Sequence, residues 1–434
     1  MRRNAYNEVE NISFGDLMAI EVNGGRRASG ILKIQGSKNS VLPLMAASLL
    51  TEDGTSIEGC PDISDVRAMW EVIEALGGVI TYEEQRLSID ASGVGKVEIC
   101  QDKVRDIRAS VLLMGACLAR FGQVTIAYPG GCSIGKRPID FHLQAFRAMG
   151  VTIEEEQERL VCHCDGRLRG YDIRLPFPSV GATENTILAA SLAEGDTTLY
   201  NAAREPEIVE LVCFLRRMGA KIEGEGTTCI HVQGVSKLNG VSWKLSEDRI
   251  AFLTYAMMVA GCGGEVSFQI SPQYLNKELW ILDKLGCQCS VWNEHITVKQ
   301  TGSVRPIRYI RTGPYPEYPT DGQSLLLAVL SKAHGVSNVE EMVFENRFRV
   351  VSQLQQMGAN IDYVSNRAQV TGVTLLHGAD VSATDLRSGA ALLIAAAMAE
   401  GVSHIHQEHY IYRGYEAIVE NMNQIGFCVK RNED

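Results

Sequence analysis

The chain has 434 residues, a formal net charge of −11 and an apolar share of 45%, which is the composition of a globular protein. The acidic balance argues against a general nucleic-acid binder, which needs surplus Lys and Arg to replace condensed counterions. No apolar run reaches the roughly 18 residues of a membrane span, and one core rarely grows past about 250–300 residues, so at least two domains are expected.

The start, MRRNAYNEVENISFGDLMAIEV, has two arginines but no continuous apolar core. It reads as an extension or loose first strand of about 20 residues rather than a secretion signal, and the protein as cytoplasmic. The elements that follow recur. A helical stretch, then Leu, Met or Ile before Gly, then a short β-like run appears six times: EALGGVI, RAMGVTI, RRMGAKI, DKLGCQC, QQMGANI and NQIGFCV. The glycines are Gly77, Gly150, Gly219, Gly286, Gly358 and Gly426. A second glycine leads each, at Gly54, Gly122, Gly195, Gly264, Gly335 and Gly401, and opens a β-rich run such as VTIAY or TTLYN. One unit is therefore strand, loop, helix, Gly cap, strand, because Gly takes the left-handed position that ends a helix without a Cβ penalty.

Two kinds of helix are expected in the unit. In DVRAMWEVIEAL, Val66, Met69, Val72, Ile73 and Leu76 fall near one face, the pattern of a helix half against a core. SVLPLMAASLL, ENTILAASLA and GAALLIAAAMA are apolar nearly all round and should be buried, with small Ala residues allowing close packing. Six units divide into two α/β domains of three, with chain crossings near residue 37 and in VSWKLSEDRIA, around residues 242–250.

There are 12 cysteines. A chain this long needs no disulfide staples, and most of them lie in apolar runs as small buried hydrophobes. Cys162 and Cys164, in VCHCD, would share a strand face while His163 points away, and no second Cys/His pair follows at zinc spacing. No metal is expected.

Four clusters carry chemistry. In GSKNSVLP, Lys38 and Asn39 stand at the head of the first buried helix, where free N–H groups and the helix field favour an anion. In YPGGCSIGKRPIDFH, Cys132 lies in a Gly-rich loop beside Lys136 and Arg137, whose charge lowers a thiol pKa and makes a nucleophile or general acid available. In PYPEYPTDGQS, Asp321 precedes a buried helix and reads either as its N-cap, which the spacing favours, or as a general base. Finally Arg108, Arg347, Arg387 and Arg413 occupy equivalent loops of the repeat, and converging arginines make a polyanion site.

These motifs, together with PSVGATEN, NAAREPEIV, VFENRF, ATDLRSGAALL and YIYRGYE, resemble the UDP-N-acetylglucosamine 1-carboxyvinyltransferases over residues 20–430. The resemblance implies two inside-out α/β barrels, one discontinuous (1–37 plus 246–434) and one formed by 38–245, with the active site in the cleft between them. It implies phosphoenolpyruvate and UDP-N-acetylglucosamine as substrates, with no metal, organic cofactor or obligate protein partner. Asp321 matches the family's base and Cys132 its loop acid, which also forms a covalent adduct; Lys38, Asn39, Cys132, Arg137 and Arg413 match the phosphoenolpyruvate site. Asn39, Arg108, Arg137, Pro138, Ile139, Asp140, Phe141, Ser179, Val180, Asp321 and Val343 fall at or near the sugar-nucleotide positions, and Arg347 and Arg387 match cleft arginines with no role assigned. The sequence departs from the pattern at Ala251, where many relatives carry Glu, and at Phe177, which is basic in some. The alternatives are a non-catalytic UDP-sugar-binding paralogue, and the sister enzyme acting on shikimate 3-phosphate, which lacks the loop cysteine.

Overall fold

The structure, a computed structural model, describes residues 18–95, 97–99, 108–128 and 139–432, with residues 108 and 109 described by their backbone. The proposed acid Cys132, with Arg137 and Pro138, therefore lies outside the described residues, as does the side chain of Arg108.

The helix-ending glycines behave as their chemistry requires. Gly77, Gly150, Gly219, Gly286, Gly358 and Gly426 all have φ between 93° and 107°, where a side chain would be strained. Of the leading glycines, Gly122, Gly195, Gly264, Gly335 and Gly401 also have positive φ. Gly54 does not, and it enters its strand through an ordinary turn.

The two expected kinds of helix are both present. The outer helices, such as Ser64–Ala75 and Pro206–Met218, bury one face each. All five apolar positions of the first, Val66 to Leu76, are buried. The inner helices are Lys38–Ala47, Leu113–Phe121, Val180–Ser191, Arg249–Cys262, Gln323–Leu330 and Leu386–Met398, and nearly every residue of each is buried. Among the described residues no helix is long and apolar enough to cross a membrane.

Among the described residues six four-stranded sheets cover these helices. Each has one pairing plan: a parallel edge strand, then two antiparallel pairings. Asp172–Arg174, for example, runs parallel to Asp196–Tyr200, which pairs antiparallel with Cys229–Gln233, which pairs antiparallel with Lys221–Glu223. The first described strand, Ala19–Asn23, completes the last of these sheets, between Val402–His406 and Cys428–Asn432. The second, Ala28–Lys33, lies parallel to Gly264–Gln269.

The apolar residues form two cores. One gathers residues 41–245, the other residues 20–34 and 251–429. The chain passes between them twice, side by side. Ser37 N–H donates to the Ser246 carbonyl at 2.9 Å and Asp248 N–H to the Gln35 carbonyl at 2.8 Å. Gly36 is required here, because a Cβ would stand 2.1 Å from the Gly59 carbonyl oxygen.

Cys162 is buried and His163 exposed on strand Arg159–His163. Among the described residues no three His, Cys, Asp or Glu side chains group as metal ligands.

Candidate active site

A cleft of about 510 Å³ is lined by residues of both cores. Its walls include the N-terminal ends of all six inner helices: Lys38 and Asn39, Val111 and Leu112, Ser179 to Gly181, Arg249, Pro319 to Asp321, and Asp385 to Arg387. Each end carries the partial positive charge of its helix, so six together set a field that favours an anion.

The caps explain why these ends are held open to the cleft. Ser37 Oγ accepts from Ser40 N–H at the first inner helix, and Ser179 Oγ from Ala182 N–H at the third. Asp385 and Ser388 form a reciprocal capping box that presents Arg387 in the first turn. Asp248 caps Arg249–Cys262 through Ile250 and Ala251, and its other oxygen takes Lys38 N–H at 3.0 Å. That one carboxylate ties two helix ends from different cores. Ala251 is thus buried in a cap, while Phe177 stands on the cleft wall.

Twelve residues singled out from the sequence meet here: Lys38, Asn39, Ile139, Asp140, Phe141, Ser179, Val180, Asp321, Val343, Arg347, Arg387 and Arg413. Two expectations need correction. Asp321 caps no helix; it sits in the turn Thr320–Gly322, and the cap position of Gln323–Leu330 is Gly322. Its carboxylate is held instead by Arg347 Nη2 at 2.6 Å and Arg387 Nη2 at 3.0 Å. Ionic pairing with two buried guanidiniums is stronger than a neutral N–H cap. The arginines, likewise, do not occupy one equivalent loop. Arg108 and Arg387 head inner helices, whereas Arg347 and Arg413 precede the outer helices Val351–Gln356 and Ile418–Gln424.

Burial alone would raise the Asp321 pKa, but Arg387 and Arg347 outweigh it and hold the carboxyl far below the usual range. Lys38 shows the reverse balance. Its burial lowers the ammonium pKa, Asp65 pushes it back up, and Arg387 and Arg413 push it down again.

Asp65, Glu184, Glu205, Glu207, Arg249 and Asp385 also line the cleft and were not singled out. All six stand inside quoted segments, Asp65 in DVRAMWEVIEAL, Glu184 in GATEN, Glu205 and Glu207 in REPEIV, Arg249 in VSWKLSEDRIA and Asp385 in ATDLRS, so the segments were visible but not these roles. Glu207 and Glu278 pair with Arg249 at 3.4 and 3.1 Å. Burial, with Glu207 and Glu205 nearby, raises the Glu184 carboxyl well above its ordinary value. The stability contributed by its neutral form is complete below the ordinary Glu range and is lost as pH rises toward the raised value. Glu184→Gln should therefore raise the melting temperature at pH 8 by about 2–4 °C and leave it unchanged near pH 4. Melting curves across that range check the sign.

A family profile for EPSP synthase (3-phosphoshikimate 1-carboxyvinyltransferase) matches residues 22–422. The enolpyruvyl transferase NikO from Streptomyces tendae superposes with a TM-score of 0.87 at 25% identity, over 96% of this chain and 99% of that one. EPSP synthase from Acinetobacter baumannii has the same fold, with a TM-score of 0.73 at 18% identity over 96% and 100% of the two chains. The class is thus a mixed α/β protein with the enolpyruvyl transferase fold. The chain is 41% identical over 95% of its length to a UDP-N-acetylglucosamine 1-carboxyvinyltransferase of Finegoldia magna, covering 99% of that protein. It is 40% identical, with the same coverages, to UDP-N-acetylglucosamine 1-carboxyvinyltransferase 2 of Caldanaerobacter subterraneus. The chain belongs to the UDP-N-acetylglucosamine 1-carboxyvinyltransferase family.

Proposed function

We propose that this protein transfers the enolpyruvyl group of phosphoenolpyruvate to the 3-hydroxyl of UDP-N-acetylglucosamine and releases phosphate, the first committed step of peptidoglycan precursor synthesis in the cytoplasm. The observation that carries the reading is one cleft holding Lys38, Arg413, Arg347, Arg387 and Asp321 at the converging ends of six helices. The names of the full-length relatives supply the substrates.

The reaction asks for three things. The sugar 3-hydroxyl loses a proton as its oxygen joins C2 of phosphoenolpyruvate, and Asp321 is the base. The alkene CH₂ gains a proton, which Cys132 supplies as acid. Loss of phosphate and of one methyl proton then restores the alkene in the product. Throughout, the cleft holds a dense negative charge on fixed cations and helix ends, which need no reorganisation as the charge shifts. Lys38, Asn39, Arg137 and Arg413 take phosphoenolpyruvate. Asn39, Arg108, Pro138 to Phe141, Ser179, Val180 and Val343 take the sugar nucleotide.

The common plan of the six sheets supports a further reading of the fold. They are six copies of one unit, three in each of two inside-out α/β barrels. The barrels comprise 38–245 and the discontinuous 1–37 plus 246–434, in keeping with the two apolar cores.

Phosphate release from phosphoenolpyruvate, assayed with and without UDP-N-acetylglucosamine, tests the function. Release should depend on the sugar nucleotide; nucleotide binding without release would favour the non-catalytic paralogue. Arg413→Lys keeps the charge but loses the planar fork. Losing one bidentate charged contact should lower kcat/KM for phosphoenolpyruvate about ten- to a hundredfold. Wild-type kinetics in that variant would remove Arg413 from the anion site.

A further inference from the structure

Asp65 is the second residue of the outer helix Ser64–Ala75, and it is buried. One oxygen meets Lys38 Nζ at 2.8 Å. Arg413 closes on the same carboxylate from the other core, Nε at 2.9 Å from one oxygen and Nη2 at 3.3 Å from the other. The contact is braced on both sides. Ser64 Oγ donates to the Tyr412 carbonyl at 3.1 Å, and Gln35 Nε2 donates to the Gly414 carbonyl at 3.0 Å. Asp65 occupies one of the three N–H bonds of Lys38 and two of the five of Arg413.

We propose that Asp65 is a positioning residue for phosphoenolpyruvate: its single carboxylate fixes Lys38 and Arg413, which reach the cleft from different cores, at the separation the substrate anion needs. This rests on the reading that Lys38 and Arg413 hold phosphoenolpyruvate. The same carboxylate has a second effect, because it is the carboxylate paired with a buried ammonium. The charged groups acting on Lys38 are Asp65 from the outer helix, Arg413 beside helix His409–Tyr412, Arg387 from the sixth inner helix and Asp321 from the turn before the fifth, while Asp248 takes its backbone N–H. Arg387 and Arg413 both disfavour its charge and Asp65 restores it. Without Asp65 the ammonium titrates at lower pH.

The test compares wild type, Asp65→Asn and Asp65→Glu in steady-state phosphate release between pH 6.5 and 9. Asp65→Asn should raise KM for phosphoenolpyruvate. It should also shift the upper limb of the kcat/KM profile to lower pH, so that the loss is about tenfold or more at pH 9 and within about threefold at pH 6.5. Asp65→Glu should recover part of that limb, and affinity for UDP-N-acetylglucosamine should change by less than about twofold in both, since among the described residues the carboxylate pairs with Lys38 and Arg413. A pH profile parallel to wild type, or a lower KM showing that the carboxylate merely competes with the substrate, would overturn the role. If wild type itself releases no phosphate, the transferase reading fails and this role with it. An active wild type with an unaltered Asp65→Asn variant defeats the positioning role alone.

Discussion

Asp321→Asn should reduce phosphate release about a hundred- to ten-thousandfold, the range expected when a general base is lost. The amide keeps the shape and removes both the base and the charge between Arg347 and Arg387. Those guanidiniums are buried, with side chains 5% exposed, so the variant takes the paired carboxylate from Arg387 and leaves Arg347 with the more distant Asp385, at 3.8 Å. Breaking such a pair costs about 3–5 kcal/mol, and the melting temperature should fall accordingly. The sign of the pH dependence is set by the depressed carboxyl. Its contribution is complete above the ordinary Asp range and fades as pH falls, so the gap between the two melting temperatures should close in acid. Added inorganic phosphate should narrow the gap at neutral pH by replacing the missing anion. A variant with near-normal turnover would remove Asp321 from the chemistry and leave it a structural counter-ion.

Cys132→Ala should lower turnover about a hundredfold or more, whereas Cys132→Asp should keep substantial turnover, because a carboxyl can still donate a proton to the alkene. The comparison separates two roles of the thiol. If proton donation dominates, the Asp variant works and forms no covalent adduct with phosphoenolpyruvate detectable by intact-mass measurement. Equal inactivity of both variants would mean that the sulfur nucleophile itself is needed.

Much of this architecture was readable from local chemistry. A glycine that ends a helix is a requirement of one residue's backbone, so six such glycines at regular spacing were legible before any contact was known. The five-residue apolar face of Ser64–Ala75 was equally local. Of the cleft residues, Lys38 was read from its place at a helix head, Arg387 from the recurring arginines, and Ser179 only through the family resemblance. What escaped is long-range pairing. Asp65 looks like an ordinary first-turn acid of an amphipathic helix, and its partner Arg413 lies 348 residues away. Asp321 was ambiguous for the same reason. A short acidic turn before a helix suits a cap, and only the arrival of Arg347 and Arg387 from two other helices gives its carboxylate a stronger partner. Gly54, in contrast, shows that a recurring residue need not carry the same backbone duty in every unit.

The position of strand Ala19–Asn23 has a consequence for how the chain matures on the ribosome. The strand is made well before both its neighbours, Val402–His406 and Cys428–Asn432. Residues 41–245 can assemble their own core while synthesis continues. Strand Ala19–Asn23 must wait for these partners of its backbone donors and acceptors until residues 402–432 have been made. Completion of that sheet therefore joins segments made far apart in time, and a nascent chain stopped short of residue 402 lacks both neighbours of the strand.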